Sequence, residues 1–470
     1  MVIADLADRL TRGIETVQSS VNEALFEPVI RIGVTGLSRA GKTVFITSLV
    51  ANLLERGRMG QLAAVANGSI RAAYLQPQPD DTVPRFDFET HLAQLTAKEP
   101  KWPSSTRTIS ELRLSLRVQP TGFLSGLSGP KTVHLDIVDY PGEWLLDLGL
   151  MGKTYSQWAQ EVFERMPLRA ESAEFLAMAA DVDAGAALDE PVAQALAASF
   201  AGYLNAARAA GYSDCSPGRF LLPGDLAGSP VLTFAPVHKP DHPRRGSLWR
   251  EMERRYEAYK AKVVKPFFRD HFARIDRQVV LVDALGAIHS GPRATEDLRR
   301  AMADILDAFR PGKNAFLSRL IVGKRVDRIL FAATKADHLH HSQHPRLTRF
   351  MEALLKDARA RADFAGADTT AMSIAALRAT VEETITHDGE ALDCVRGTVD
   401  SGKQAAFYPG ELPDDPAQLL GAARDGAEKW LDADYEIMTF QPAPLTLKPG
   451  DGPPHIRLDK ALQFLIGDRL

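Results

Sequence analysis

Eight consecutive residues, Gly36-Leu37-Ser38-Arg39-Ala40-Gly41-Lys42-Thr43, satisfy the spacing G-x-x-x-x-G-K-[ST], and Val44 carries the run into a helical pattern. Small residues at this spacing let successive backbone N–H groups turn toward phosphate oxygens. A helix starting directly behind them presents its positive end to the same anion. Lys42 then has the reach for β- and γ-phosphates, and the Thr43 hydroxyl can ligate Mg²⁺. A second motif, Asp139-Tyr140-Pro141-Gly142, closes a hydrophobic run. Its carboxylate can hold a Mg²⁺-bound water, and Gly142 can offer its N–H to a γ-phosphate with no side chain in the way. The D-x-x-G pattern recurs at Asp283 to Gly286, where its place in the chain order gives it a structural reading.

A third motif, Thr334-Lys335-Ala336-Asp337, matches [NT]-K-x-D. Asp337 can accept from guanine N1 and the exocyclic amine, which adenine does not present in that way, while the Lys335 stem covers the base. The expected ligand is therefore GTP or GDP with Mg²⁺, not ATP. Ser373-Ile374-Ala375 stand where a later strand can set backbone N–H groups against the guanine oxygen. A threonine ligand for Mg²⁺ is expected before Asp139, and Thr106 is preferred over Thr108.

The elements that must carry these residues follow from periodicity. Val29 to Thr35 reads as a strand entering the glycine loop, and Val44 to Leu54 as the helix leaving it. Leu112 to Val118 and Thr132 to Val138 read as a hairpin around the turn-forming segment QPTGFLSGLSGPK. Long Ala-rich helical stretches such as Glu190 to Ala210 and Leu248 to Phe272 follow, and strands at Val279 to Leu285 and Arg328 to Thr334 restore α/β alternation. Asp393 to Val399 and Gln404 to Tyr408 suggest small antiparallel strands, and Ile456 to Leu470 a helix with Leu458, Leu462, Leu465 and Ile466 on one side. The expected fold class is α/β, a P-loop NTPase core of the G-domain kind with a mainly helical insertion and a small C-terminal α+β region. The expected divisions are an N-terminal amphipathic helix at 1–25, core at 26–148, insertion at 149–276, core again at 277–385, and C-terminal strands and helix at 386–470.

Composition narrows the remaining choices. The 470 residues carry 56 Lys and Arg against 60 Asp and Glu, a formal charge of −4, which supplies no general attraction for nucleic acid. Cys215 and Cys394 are too far apart in sequence to form a thiolate metal motif, and a reducing cytoplasm fits them. No run approaches the apolar length of a membrane-spanning helix, and the N-terminus lacks a cationic signal start. Ile3 to Leu25 has one apolar face, for which docking on the protein's own body is favoured over contact with a membrane surface.

The segments GLSRAGKT, WPSSTRTISELRLSL, DYPGEWLLDLGL, TKADHLHH and PHIRLDKALQFLIGDRL, spread over nearly the whole chain, resemble the YcjX-like family of bacterial P-loop GTPases. The resemblance implies a translation-factor-like GTPase core with a helical insertion, and an association with stress responses. It names no protein partner. Glu143 stands where small G proteins often carry a water-positioning glutamine; a carboxylate can orient or deprotonate water but opposes an anionic phosphate, so slow basal hydrolysis is expected. Arg39 occupies the P-loop position at which guanylate-binding proteins carry an arginine finger, so Arg39, Lys42 and Glu143 are the expected catalytic groups. A nucleotide-stabilised scaffold with negligible turnover is the alternative. His340 and His344 have i, i+4 spacing, but Pro345 interrupts the helix that a metal pair would need.

Overall fold

A computed structural model describes residues 27–37, 39–104, 108–119, 129–308, 326–362, 367–425 and 438–470. The expected Ile3 to Leu25 helix, Ser38, Thr106 and most of the 119–131 turn lie outside these residues. The strands are β1 (Val29–Gly36), β2 (Ile70–Gln76), β3 (Ser110–Val118), β4 (Lys131–Asp139), β5 (Arg277–Val282), β6 (Arg328–Ala333), β7 (Asp368–Ser373), β8 (Val381–His387), β9 (Glu390–Thr398) and β10 (Gln404–Phe407). The helices that matter for the site are α1 (Lys42–Glu55), α2 (Gly142–Leu146), α3 (Glu190–Ala209), α4 (Leu248–Tyr259), α5 (Pro292–Ala308), α6 (His344–Ala362) and α7 (Leu458–Ile466).

Seven strands form one sheet in the order β2-β3-β4-β1-β5-β6-β7. Strands β4 through β7 run parallel with β1 among them, while β3 is antiparallel to both β2 and β4, so the expected hairpin is present. Side chains alternate across the sheet with period two. Val279, Leu281, Leu330 and Ala332 face one core with α1 and α7, whereas Val280, Val282, Ile329 and Phe331 face the other with α5 and α6. Both faces are covered, which is why β5 and β6 read as nearly continuous apolar runs. Leu458, Leu462, Leu465 and Ile466 of α7 are fully buried, each contributing roughly 1.5–3 kcal/mol by removal from water.

Between β4 and β5 the chain is helical, and its aromatics extend the core on one sheet face: Trp158 stacks on Tyr256 at 5.1 Å and meets Phe200 and Phe234 edge-on. A buried ion pair from Arg169 to Asp297 fastens this region to α5, and Asp297 also accepts from the backbone N–H groups of Ser213 and Asp214. Beyond β7, β10-β9-β8 make a separate antiparallel sheet, one strand more than the two short segments expected there. No helix among the described residues is long and apolar enough to cross a membrane.

In open parallel sheets the binding crevice lies at the carboxyl ends of the strands, where neighbouring connections leave in opposite directions. Here β1 lies between β4 and β5, so the loops after β1, β4, β6 and β7 are brought to one edge.

Candidate nucleotide-binding cleft

The loop leaving β1 is anchored by Leu37 N–H donating to Leu281 O at 3.0 Å and closed by Ala40 N–H donating to Leu37 O at 3.1 Å. Arg39 and Gly41 have left-handed backbones, with φ of 62° and 74°. Glycine takes this conformation without strain, which explains Gly41 directly before α1. No side chain caps the start of α1, so its first N–H groups face the cleft as an anion-binding end.

Parallel pairing sets Asp139 opposite Val34, and the Asp139 carboxylate meets Lys42 Nζ at 2.7 Å. The contact neutralises charge without hydrogen-bond alignment: Lys42 Nζ and both Asp139 oxygens are buried with their hydrogen-bonding capacity unused. Buried polar atoms are normally satisfied. A phosphate on Lys42 and a hard cation on Asp139 supply the matching chemistry, so these residues fit a magnesium nucleotide. Thr43 follows Lys42 in the first turn of α1.

Gly142 must be glycine for a steric reason. A Cβ there would stand 2.1 Å from Gly36 O, so the Asp139-to-Gly142 turn lies directly on the phosphate loop. Helix α2 then runs under the helical region, which grips it at several points. Arg208 of α3 pairs with Glu143 at 2.9 Å, Arg219 lies 3.3 Å over the Trp144 ring, and Trp144 Nε1 donates to Leu222 O. Asp147 accepts from Gly218 N at 2.7 Å and from the Tyr259 hydroxyl at 2.5 Å.

At the other end of the cleft, Thr334 N–H donates to Val282 O and Ala336 N–H to Ile374 O, which fixes the turn after β6. Lys335 is left-handed at φ 61°, and its Nζ pairs with Asp283 at 2.5 Å. Asp283 also caps a short helix by accepting from Gly286 N, which is the structural use of the second D-x-x-G. Asp337 is nearly buried, and its Oδ2 accepts from Ala379 N at 2.8 Å, so the carboxylate is oriented.

Across nearly its whole length the chain matches a known family. A family model described as YcjX-like aligns with residues 30–470. A protein named Ras-like GTPase YcjX from Escherichia coli is 38% identical over 460 residues, covering 94% of this chain and 96% of that one. Another of the same name from Shewanella oneidensis is 35% identical over 467 residues, covering 94% of each. The chain belongs to the YcjX-like family.

In this YcjX-like protein the three motif groups border one cleft of about 830 Å³. Gly36, Leu37, Arg39 to Val44, Gly142, Glu143, Thr334, Lys335, Asp337 and Ala375 all line it. Ser373 and Ile374 do not. Ser373 N–H donates to Thr348 Oγ1, its hydroxyl meets Thr348 Oγ1 at 2.8 Å and Arg457 Nη1 at 3.0 Å, and Ile374 N–H donates to Ala333 O. Ala375 N–H is itself taken by Ile456 O, and Ala376 and Leu377 supply the cleft wall instead. Thr108 is exposed and does not line the cleft itself, although it lies beside Gly224, which does.

Arg39 reaches Ala209 O at the end of α3 at 3.2 Å, so one helix end holds both the phosphate loop and, through Arg208, Glu143. Asn205, Arg208, Trp102 and Phe440 also border the cleft, and sequence reasoning found none of them. Only the final turn of the Ala-rich stretch Glu190 to Ala210 carried a signal, an amide and a cation three residues apart on one helix face. His344 is not a metal ligand with His340: it is buried, with Nε2 against Ala336 O and Leu339 O.

The grip on α2 is sensitive to pH. Burial pushes the Asp147 carboxyl up to about 7, against which the Tyr259 hydroxyl and Gly218 N–H act only in part. A raised folded-state pKa gives a stability contribution fully present below the unfolded value near 3.8 and lost as pH rises through 7. Asp147→Asn removes this titration. The difference in unfolding free energy between variant and parent is expected to move in the variant's favour from pH 5 to pH 8, by an amount on the order of a few kcal/mol at most, measured by denaturant unfolding at each pH. A difference independent of pH would contradict this assignment.

Proposed function

We propose that this protein binds GTP with Mg²⁺ and hydrolyses it to GDP and phosphate, as a cytoplasmic switch read out by its helical insertion. The observation that carries the reading is the meeting of Lys42, Gly142 and Asp337 around one cleft, with Asp139 buried behind it against Lys42. The relatives' name, Ras-like GTPase, supports it.

In this reading Gly41 to Val44 and Lys42 hold the β- and γ-phosphates, and Asp337 selects guanine while the Lys335 stem covers it. Thr43 and Asp139 hold Mg²⁺, which supplies charge neutralisation at the phosphates. Thr106 completes that set. Water attacks the γ-phosphorus as the bond to the β–γ bridging oxygen breaks; negative charge passes to the leaving GDP and the water's proton to an oxygen of the released phosphate. Arg208 is the guanidinium assigned to stabilise that charge, because it borders the cleft beside Glu143 and can turn from that carboxylate to phosphate oxygens. Arg39 then acts as a positioning residue between the phosphate loop and α3.

A change at Gly142 on loss of the γ-phosphate must disturb Glu143, Trp144 and Asp147, all of which the insertion holds. That is how a partner would sense the nucleotide. A single-turnover assay tests the reading: Mg²⁺-dependent release of phosphate from GTP, and little from ATP, is expected. Tight GTP binding with no cleavage would favour the nucleotide-stabilised scaffold instead.

A further inference from the structure

Downstream of the guanine-reading turn, two imidazoles and two carboxylates come together where that turn meets the small antiparallel sheet. His340 and His341 lie with ring centroids 4.2 Å apart. His341 Nδ1 is 2.8 Å from Glu382 Oε2, and His340 Nε2 is 3.8 Å from the same oxygen. One ligand atom from each of the three residues lies within 4.8 Å of the others, and side-chain rotation would draw them to the closer spacing that bonds of about 2.0–2.2 Å to one ion require. Glu382 is on β8, so the ligands come from two separate elements.

The fourth group has the geometry of a supporting carboxylate. Asp393 Oδ2, on β9, lies 3.2 Å from His340 Nδ1, the nitrogen that does not face Glu382. Metal-binding histidines commonly place their other nitrogen against a carboxylate, which fixes the ring and raises the basicity of the ligating atom. Ser342 Oγ also approaches Nδ1, at 2.9 Å. Arg378 contacts the opposite oxygen of Glu382, Oε1, at 3.2 Å, and leaves Oε2 to the histidines.

We propose that His340, His341 and Glu382 form a zinc site, with Asp393 orienting His340 and water in the fourth position. Two imidazole nitrogens and one carboxylate suit a borderline ion such as Zn²⁺, not Mg²⁺ or Ca²⁺, which take oxygen donors. The site is separate from the nucleotide's magnesium ligands and does not depend on the proposed hydrolysis. Its placement gives it a consequence, because Asp337 and His340 share one turn and the segment leading to β8 already holds Asp337 through Ala379 N. A zinc ion would add a second tie between that turn and the sheet.

Calorimetric titration of the full chain with ZnCl₂, in excess Mg²⁺ and GDP, tests the proposal. One saturable equivalent is expected, lost in the His340→Ala/His341→Ala double variant and weakened about 10–100-fold in Asp393→Asn. His387→Ala, an exposed histidine on the same sheet, should leave it unchanged. Co²⁺ added to the unaltered protein should give the visible bands of a four-coordinate site, a readout that needs no variant to fold. Absence of those bands, or a zinc equivalent that survives the double substitution, would overturn the proposal.

Discussion

Lys42→Ala is expected to abolish guanine-nucleotide retention and, separately, to destabilise the protein. The binding loss follows from removing a charge that can serve two phosphates. Hydrogen bonds to charged groups contribute roughly 1.5–3 kcal/mol each, so two of them correspond to a loss of about 10² to 10⁴ in affinity. The stability loss follows from Asp139, which is buried and whose nearest countercharge is Lys42 at 2.7 Å. Leaving one member of a buried pair uncompensated typically costs about 3–5 kcal/mol. The two effects separate in a double variant: adding Asp139→Asn should recover much of the melting temperature while nucleotide binding stays absent. Thermal melts and GDP titrations on the parent, both single variants and the double variant measure this coupling. Affinity retained within a few-fold in Lys42→Ala would remove the phosphate assignment.

The second large effect is kinetic. Arg208→Ala is expected to slow single-turnover GTP cleavage by on the order of 10³-fold, the scale associated with an arginine acting on a transferring phosphoryl group. GDP affinity should change by only a few-fold, because the charge it stabilises develops during bond cleavage. Arg208→Lys should not restore the rate, since a single ammonium lacks the planar fork that contacts two oxygens at once. Arg39→Ala should have the smaller effect, because Arg39 is directed to Ala209 O at the end of α3. If Arg39→Ala proves the slower enzyme, the finger belongs to the phosphate loop and the Arg208–Glu143 pair is structural. Quenched-flow measurement of phosphate release ranks the two variants directly.

The parts of this site legible in the sequence were those in which local spacing and chemistry coincide. The phosphate loop is one continuous segment whose Gly41 is required by its left-handed backbone, and Asp139 ends a strand whose apolar run identifies it. The paired strands β3 and β4 and helix α7 were likewise readable, because apolar residues recur at strand or helix period along each of them. Strand β2 was not: IRAAYLQ alternates poorly and is half-exposed at the sheet edge, so it carries little hydrophobic pattern.

The residues that sequence missed are brought in by tertiary packing. Arg208 is 65 residues beyond Glu143 and reaches it only because α3 ends against α2. The Ser373 segment shows the opposite failure. It has the residue types expected near a guanine oxygen, yet its N–H groups are spent on Thr348, Ala333 and Ile456, so the cleft wall moves on to Ala375, Ala376 and Leu377. In the histidine segment, spacing alone left the neighbours of His340 unnamed. Helical spacing paired His340 with His344, but the chain turns between them, sending His344 inward to backbone carbonyls and leaving His340 beside His341 and Glu382.

Asp337 carries the claim that the base is guanine; it borders the cleft, and Ala379 N–H holds its Oδ2. Titration of the parent and Asp337→Asn with GDP and with xanthosine diphosphate, both in Mg²⁺, tests that claim most directly. The parent should prefer GDP, and the variant should reverse the preference, because an amide donor matches the xanthine carbonyl that replaces the guanine amine. Unchanged GDP preference in Asp337→Asn would contradict the placement of guanine at Asp337.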